Sequence, residues 1–230
     1  MIHHCTRKGR LPATCHTFVV WGGSCRFVEL GWEMFEYLQS ISAEPWKPIS
    51  RATLVAWVVF YSAFLVYAFS QHGGFLFIDS ANLVVHDGGH NLFGWFGPTL
   101  GLWGGTLLQW LVPLVLAGYF YAQRQYTGFV FCMFFFFENW LYTATYMADA
   151  RAQELPLVTT GDPDFVEHDF HAIFSNLGVL DYDTKIAAAV RILGWLGMLA
   201  CIAWLAWRLH SAQPVETSRS SDSQLRGVKC

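Results

Sequence analysis

Thr99–Tyr121, TLGLWGGTLLQWLVPLVLAGYFY, runs for 23 residues without a charge. About 20 apolar residues cross a hydrocarbon core of roughly 30 Å as a helix. Only helices and closed barrels satisfy their own backbone in that core, and this run lacks the alternation of a barrel strand. It reads as a transmembrane helix. Three other runs share the pattern. Ala52–Ser70 has 19 residues and no charge, and Gly128–Met147 has 20 residues with one carboxylate, Glu138. Ile186–Trp207 has 22 residues, with Arg191 near its start, from where a long side chain can snorkel. A fifth segment, Phe75–Phe96, is apolar but contains Asp79, Asn82, His86, Asp87, His90 and Asn91, and Gly97-Pro98 breaks it from the next run. It reads as a helix that dips into the membrane or lies within the bundle, a full crossing being the alternative. The sequence thus predicts an all-α, polytopic membrane helical bundle: four clear transmembrane helices plus a partly membrane-embedded motif helix.

Composition supports the bilayer. Hydrophobic residues make up 54% of the 230 and charged residues 13%, about half the charge of a soluble domain. The net charge of −3 and the lack of a Lys/Arg block beside an aromatic platform argue against a nucleic-acid partner. Six cysteines form no C-x-x-C pair, and Cys132 and Cys201 fall in apolar runs, so no disulfide scaffold is expected. The chain divides into an N-terminal leader at 1–51, a membrane domain at 52–209 and a Ser-rich, disordered tail at 210–230. In the leader, Glu29–Leu38 is a candidate amphipathic helix on the membrane surface. The leader's His3, His4, Cys5, Cys15 and His16 match no zinc-module spacing, and nothing essential is expected there.

Six Lys/Arg precede the first run; Arg208, Arg219, Arg226 and Lys229 follow the last, and Arg124 lies between the second and third. Four crossings put all of these on one side, and the positive-inside rule makes that side cytoplasmic. A bacterial inner (plasma) membrane with both termini cytoplasmic is the expected setting. Segments 71–98 and 148–185 then share the opposite face and bring to it five of the nine histidines: His72, His86, His90, His168 and His171.

His86-Asp87-Gly88-Gly89-His90 is the candidate working part. Histidines at i and i+4 project from one helix face, the spacing that lets two imidazoles share one Zn²⁺. Polar groups in an apolar stretch are costly and usually functional. Asp87 occupies the general-base position of H-E-x-x-H. A third ligand is needed, and Asp149, just beyond the third run, is the first choice. Glu138, Tyr142, Thr145 and Asp149 form one polar stripe, with Glu138 supporting the site or sealing a helix–helix seam. His168-Asp169-Phe170-His171 offers His168 and His171 as alternative ligands; in the alternative reading this is a surface loop capped by Asp169 before a short helix. Glycines at 97, 101 and 105, with Gly104 beside them, allow close helix approach. For Gly88 and Gly89, tight packing is the reading preferred over room for a substrate strand.

The His86/His90 pair in an apolar helix, followed by a glycine-rich run and a later helix carrying Asp149, resembles the site-2 protease class of intramembrane zinc metalloproteases. The resemblance covers roughly residues 75–155. It departs from the class in having Asp87 for glutamate, no Asn-Pro context around the distant aspartate and no PDZ-like domain. It implies a membrane-embedded, zinc-dependent hydrolase, most plausibly a peptidase acting on a membrane protein or peptide, with Asp87 working on a metal-activated water. The alternative is a non-catalytic metal-binding or cation-transport protein.

Overall fold

The computed structural model describes residues 40, 44–71, 75–155 and 168–211. The leader's candidate helix at 29–38, most of the tail and His72 lie outside them. The compact unit that contains the bundle begins at Pro45. Helix α1 is Arg51–Ser70, α2 Asp79–Gly94, α3 Pro98–Ala122, α4 Tyr126–Ala148 and α5 Asp169–Leu177. A 3₁₀ turn, Leu180–Tyr182, leads into α6, Asp183–Ser211.

Local chemistry sets the boundaries. The Ser50 hydroxyl accepts from the Thr53 N–H and caps α1. Between α2 and α3 the chain reverses at Gly97, whose φ of 120° only glycine adopts without strain, and Pro98 starts α3 where its missing N–H costs nothing. α2 and α3 lie backbone to backbone. A Cβ at Gly89 would collide with the Gly104 carbonyl, and one at Gly101 would sit 3.0 Å from Gly94 Cα. The glycine spacing in α3 therefore serves close packing, and so does Gly89.

Among the described residues, three helical segments are long and apolar enough to cross a membrane: Arg51–Ser70, Pro98–Ala122 and Leu180–Ser211. The protein is an integral, multi-pass membrane protein with an all-α bundle, and the expectation of four clear spans plus a partly embedded helix is corrected. The run at 128–147 does form a helix, α4, but Glu138, Asn139 and four hydroxyl side chains beyond them make it too polar to join the three. Those polar groups are covered by protein: Glu138, Asn139 and Thr143 are each 1% exposed. α2 has only 16 residues, about 24 Å of helix. Its polar face is buried against α3 and α4, while Val84 and Leu92 on its other side are exposed. The placement of both termini on one side, argued from four crossings, no longer follows from the count.

Candidate metal centre

α2 buries Asp79, Asn82, His86 and Gly89 along one face. His90 stands one turn beyond His86 on that face, and their rings meet at 4.7 Å between centroids. α3 supplies what lies beneath. His86 Nδ1 is 2.8 Å from Gln109 Oε1, and His90 Nδ1 is 2.8 Å from the Gly101 carbonyl oxygen. A carbonyl oxygen can only accept, so Nδ1 carries the proton in His90, and the Gln109 oxygen asks the same of His86. Both Nε2 lone pairs are thereby aimed at each other, 3.0 Å apart.

α5 supplies the third atom. Asp169 Oδ2 lies 2.8 Å from His86 Nε2 and 3.1 Å from His90 Nε2. Three electron-pair donors converging this tightly repel one another unless a proton or a metal cation lies among them. A point about 2.0–2.1 Å from all three, the range of Zn–N and Zn–O bonds, exists to one side of their plane. His86, His90 and Asp169 are the group of described residues whose ligand atoms converge in this way, and they can coordinate a divalent metal. Gly105 shows how close the fit is: a Cβ there would stand 2.5 Å from His86 Nε2 and 2.6 Å from His90 Nε2.

Electrostatics agree with the geometry. Burial pushes the Asp169 carboxyl up, but the hydrogen bonds from His86 and His90 outweigh it and hold the group below the ordinary carboxylate value. Burial pulls His90 down, yet its hydrogen bond and charge interaction with Asp169 raise it overall.

Asp169 is held by its surroundings. Its N–H donates to Tyr146 Oη at 3.2 Å, and His168 lies over the Tyr146 ring at 4.2 Å. The helix cap is His168 rather than Asp169, with His168 Nδ1 accepting from the His171 N–H at 3.3 Å. His171 Nδ1 donates to the Ala150 carbonyl at 2.8 Å. The two candidate ligands of this loop thus seat α5, while the residue between them reaches the pair on α2. Burial lowers the His168 pKa, and the nearby Asp149 and Asp169 carboxylates offset this only in part.

Asp149 ends α4 elsewhere. Its Oδ1 accepts from the Glu154 N–H at 2.9 Å and its Oδ2 from the Leu155 N–H at 3.1 Å, with His168 Nε2 a further 3.4 Å from Oδ2 and poorly aligned for a hydrogen bond. Asp87 is half-buried and outside the converging group. Glu138 is buried beside Asn82, in the bundle interior. Sequence reasoning overlooked Asp169 as the third converging group, Gln109 as the partner of His86 and Gly105 as the floor of the site. A carboxylate flanked by two histidines on the same membrane face was the available signal for Asp169; nothing local singles out Gln109.

The chain matches no family model, no curated protein and no solved structure. The likeness to the site-2 protease class does not stand. No family model carries it, and the triad is His86, His90 and Asp169, whose carboxylate comes from a separate short helix, in place of an H-E-x-x-H arrangement.

Proposed function

We propose that this protein is a membrane-embedded zinc-dependent hydrolase with His86, His90 and Asp169 as the protein ligands. The observation that carries the reading is the convergence of three ligand atoms, two of them imidazole nitrogens whose opposite ring nitrogens are already bonded to Gln109 and Gly101. Such outer bonds fix tautomer and ring orientation at metal sites. Two imidazoles and one carboxylate suit zinc, and three protein ligands leave a position open, as hydrolytic zinc sites do. Zinc bound there would lower the pKa of a water to about 7 and supply a nucleophile at neutral pH.

The chain's own residues do the rest. The His90 side chain is 30% exposed against 6% for His86 and 12% for Asp169, so a reacting group approaches from the His90 side. We assign Asp87 the work of accepting a proton from the attacking water. It follows His86 on α2, and its charge acts on His90. A peptide bond in a membrane-associated chain is the substrate class we favour.

Orientation belongs to the same proposal. Trp46 packs on Tyr121, Tyr126 and Trp204, so α1 begins, α3 ends, α4 begins and α6 ends at one end of the bundle. Lys47, Arg51, Arg124 and Arg208 gather there, which makes that end cytoplasmic.

Elemental analysis of detergent-purified protein beside His86→Ala tests the centre, and peptide hydrolysis by Asp87→Asn tests the reaction. We expect Asp87→Asn to keep its metal and lose about 10²–10⁴-fold in rate. Metal retained in full by His86→Ala would remove the centre. Unchanged hydrolysis by Asp87→Asn would remove the base.

A further inference from the structure

Asp79, Asn82 and Glu138 form a second buried polar group, further along the α2 face that carries His86. Asn82 Nδ2 donates to Asp79 Oδ1 at 3.1 Å and to Glu138 Oε2 at 3.2 Å. The three residues are 5%, 2% and 1% exposed. Five cations of the described bundle are engaged elsewhere. Arg124 stacks on Trp46 and Tyr121, Lys185 on Tyr182 and Arg208 on Tyr126. Arg151 pairs with Asp183, and Arg191 donates to Thr145 two turns along α4. Two carboxylates sharing one amide donor in a dry interior cannot both stay ionised without a cation between them.

The two acids are not equivalent. Asp79 Oδ2 accepts the Leu76 N–H at 2.6 Å, Oδ1 accepts from Asn82, and the residue lies in the first turn of α2, where the helix end favours negative charge. Glu138 has the Asn82 amide on Oε2, while its fully buried Oε1 receives no hydrogen-bond donor. That orphaned oxygen is an observation separate from the clustering of acids. An unpartnered oxygen is far more costly on a carboxylate than on a neutral acid.

We infer that Glu138 is a proton-binding site inside the bundle, holding its proton as a neutral carboxylic acid at neutral pH beside an ionised Asp79. The titratable neighbours are Tyr142, one turn along α4, and His86, one turn past Asn82 on α2. α3 presents the Gln109 amide, which bonds His86 and Asn139. The inference does not depend on a metal at the triad, and its test reads the proton directly.

Infrared spectra of the purified protein at neutral pH should contain the carbonyl stretch of a neutral carboxylic acid, shifted down in D₂O. The band should persist in Asp79→Asn and disappear in Glu138→Gln, an isostere of the neutral acid, with the metal content of both unchanged. Carbon-13 labelling of glutamate carboxyls should move the same band in the unmutated protein, which makes the assignment without a substitution. A spectrum without the band would mean two ionised acids around a bound cation and would overturn the inference. So would a band that ignores the glutamate label, or one lost in Asp79→Asn and kept in Glu138→Gln.

Discussion

The two halves of α4 lie in opposite surroundings. From Tyr126 to Phe137 the helix packs into an apolar cluster, where Tyr126, Val130 and Phe134 meet Leu54, Tyr61, Met198, Cys201 and Leu205. Tyr61 and Phe134 lie 4.4 Å apart between ring centroids. From Glu138 onward the same helix is polar inside. Asn139 accepts from Gln109, the rings of Tyr142 and Tyr146 edge His86, and the Tyr146 hydroxyl receives the Asp169 N–H. Contacts in the first half are dispersion contacts, many and individually weak. The polar contacts in the second are directional, between named donors and acceptors. The first half therefore holds the bundle together, and the second holds a site in shape.

The largest way to break this contrast is to remove a ligand. His86→Ala and Asp169→Asn should each reduce bound metal from stoichiometric to background, measured by elemental analysis, with helical content unchanged by circular dichroism. Asp149→Asn should retain the metal, because its oxygens are occupied by the Glu154 and Leu155 amides. Metal lost from Asp149→Asn with α5 still seated would put Asp149 back among the ligands.

Crowding the site comes next. Gly105→Ala places a methyl against both imidazoles and should weaken metal affinity by about 10²-fold or more, beyond the roughly 10–100-fold loss typical of an outer-shell change. Gly118→Ala, where an added Cβ meets nothing within 4 Å, should leave affinity unchanged. Gln109→Ala removes only the outer partner of His86, so a competition titration should show a loss of about 10–100-fold.

Protons offer a gentler perturbation. Asp169 holds the His90 pKa above its ordinary value, so His90 keeps a proton to higher pH than a free imidazole. That proton competes with the metal. Affinity should therefore fall as pH drops, and the fall should begin above the ordinary histidine pKa of about 6.5. A titration that is flat across pH 5–8 would show that His90 does not ligate.

The apolar half should respond in the opposite way. Leu205→Ala, at a position with 0% exposure, opens a cavity among packed side chains and should cost about 2–5 kcal/mol of stability. Metal affinity should not change. A thermal midpoint in detergent together with metal content reads both at once, and a matching loss of metal would mean the two halves are coupled.

Much of this was legible in the chain. Charge-free runs gave the helices, because a bilayer leaves the backbone no other way to satisfy itself. The i, i+4 histidines gave the converging pair, because helix geometry alone puts them on one face. The glycines of α3 gave the close approach. The run at 128–147 is the instructive miss: length and a single carboxylate marked it as a span, while its buried polar side belongs to the interior of the bundle.

The sequence by itself determined that this is an all-α, multi-pass membrane protein with two histidines ready to share an ion, since both facts follow from composition and local periodicity. The tertiary structure decided which carboxylate joins them. Asp149 and Asp169 stand on the same side of the molecule and differ little as residues. Only the fold shows that one is saturated by the amides of its own loop, while the other is carried by α5 to within 2.8 Å of His86. The separation along the chain is 83 residues, and no local pattern spans it.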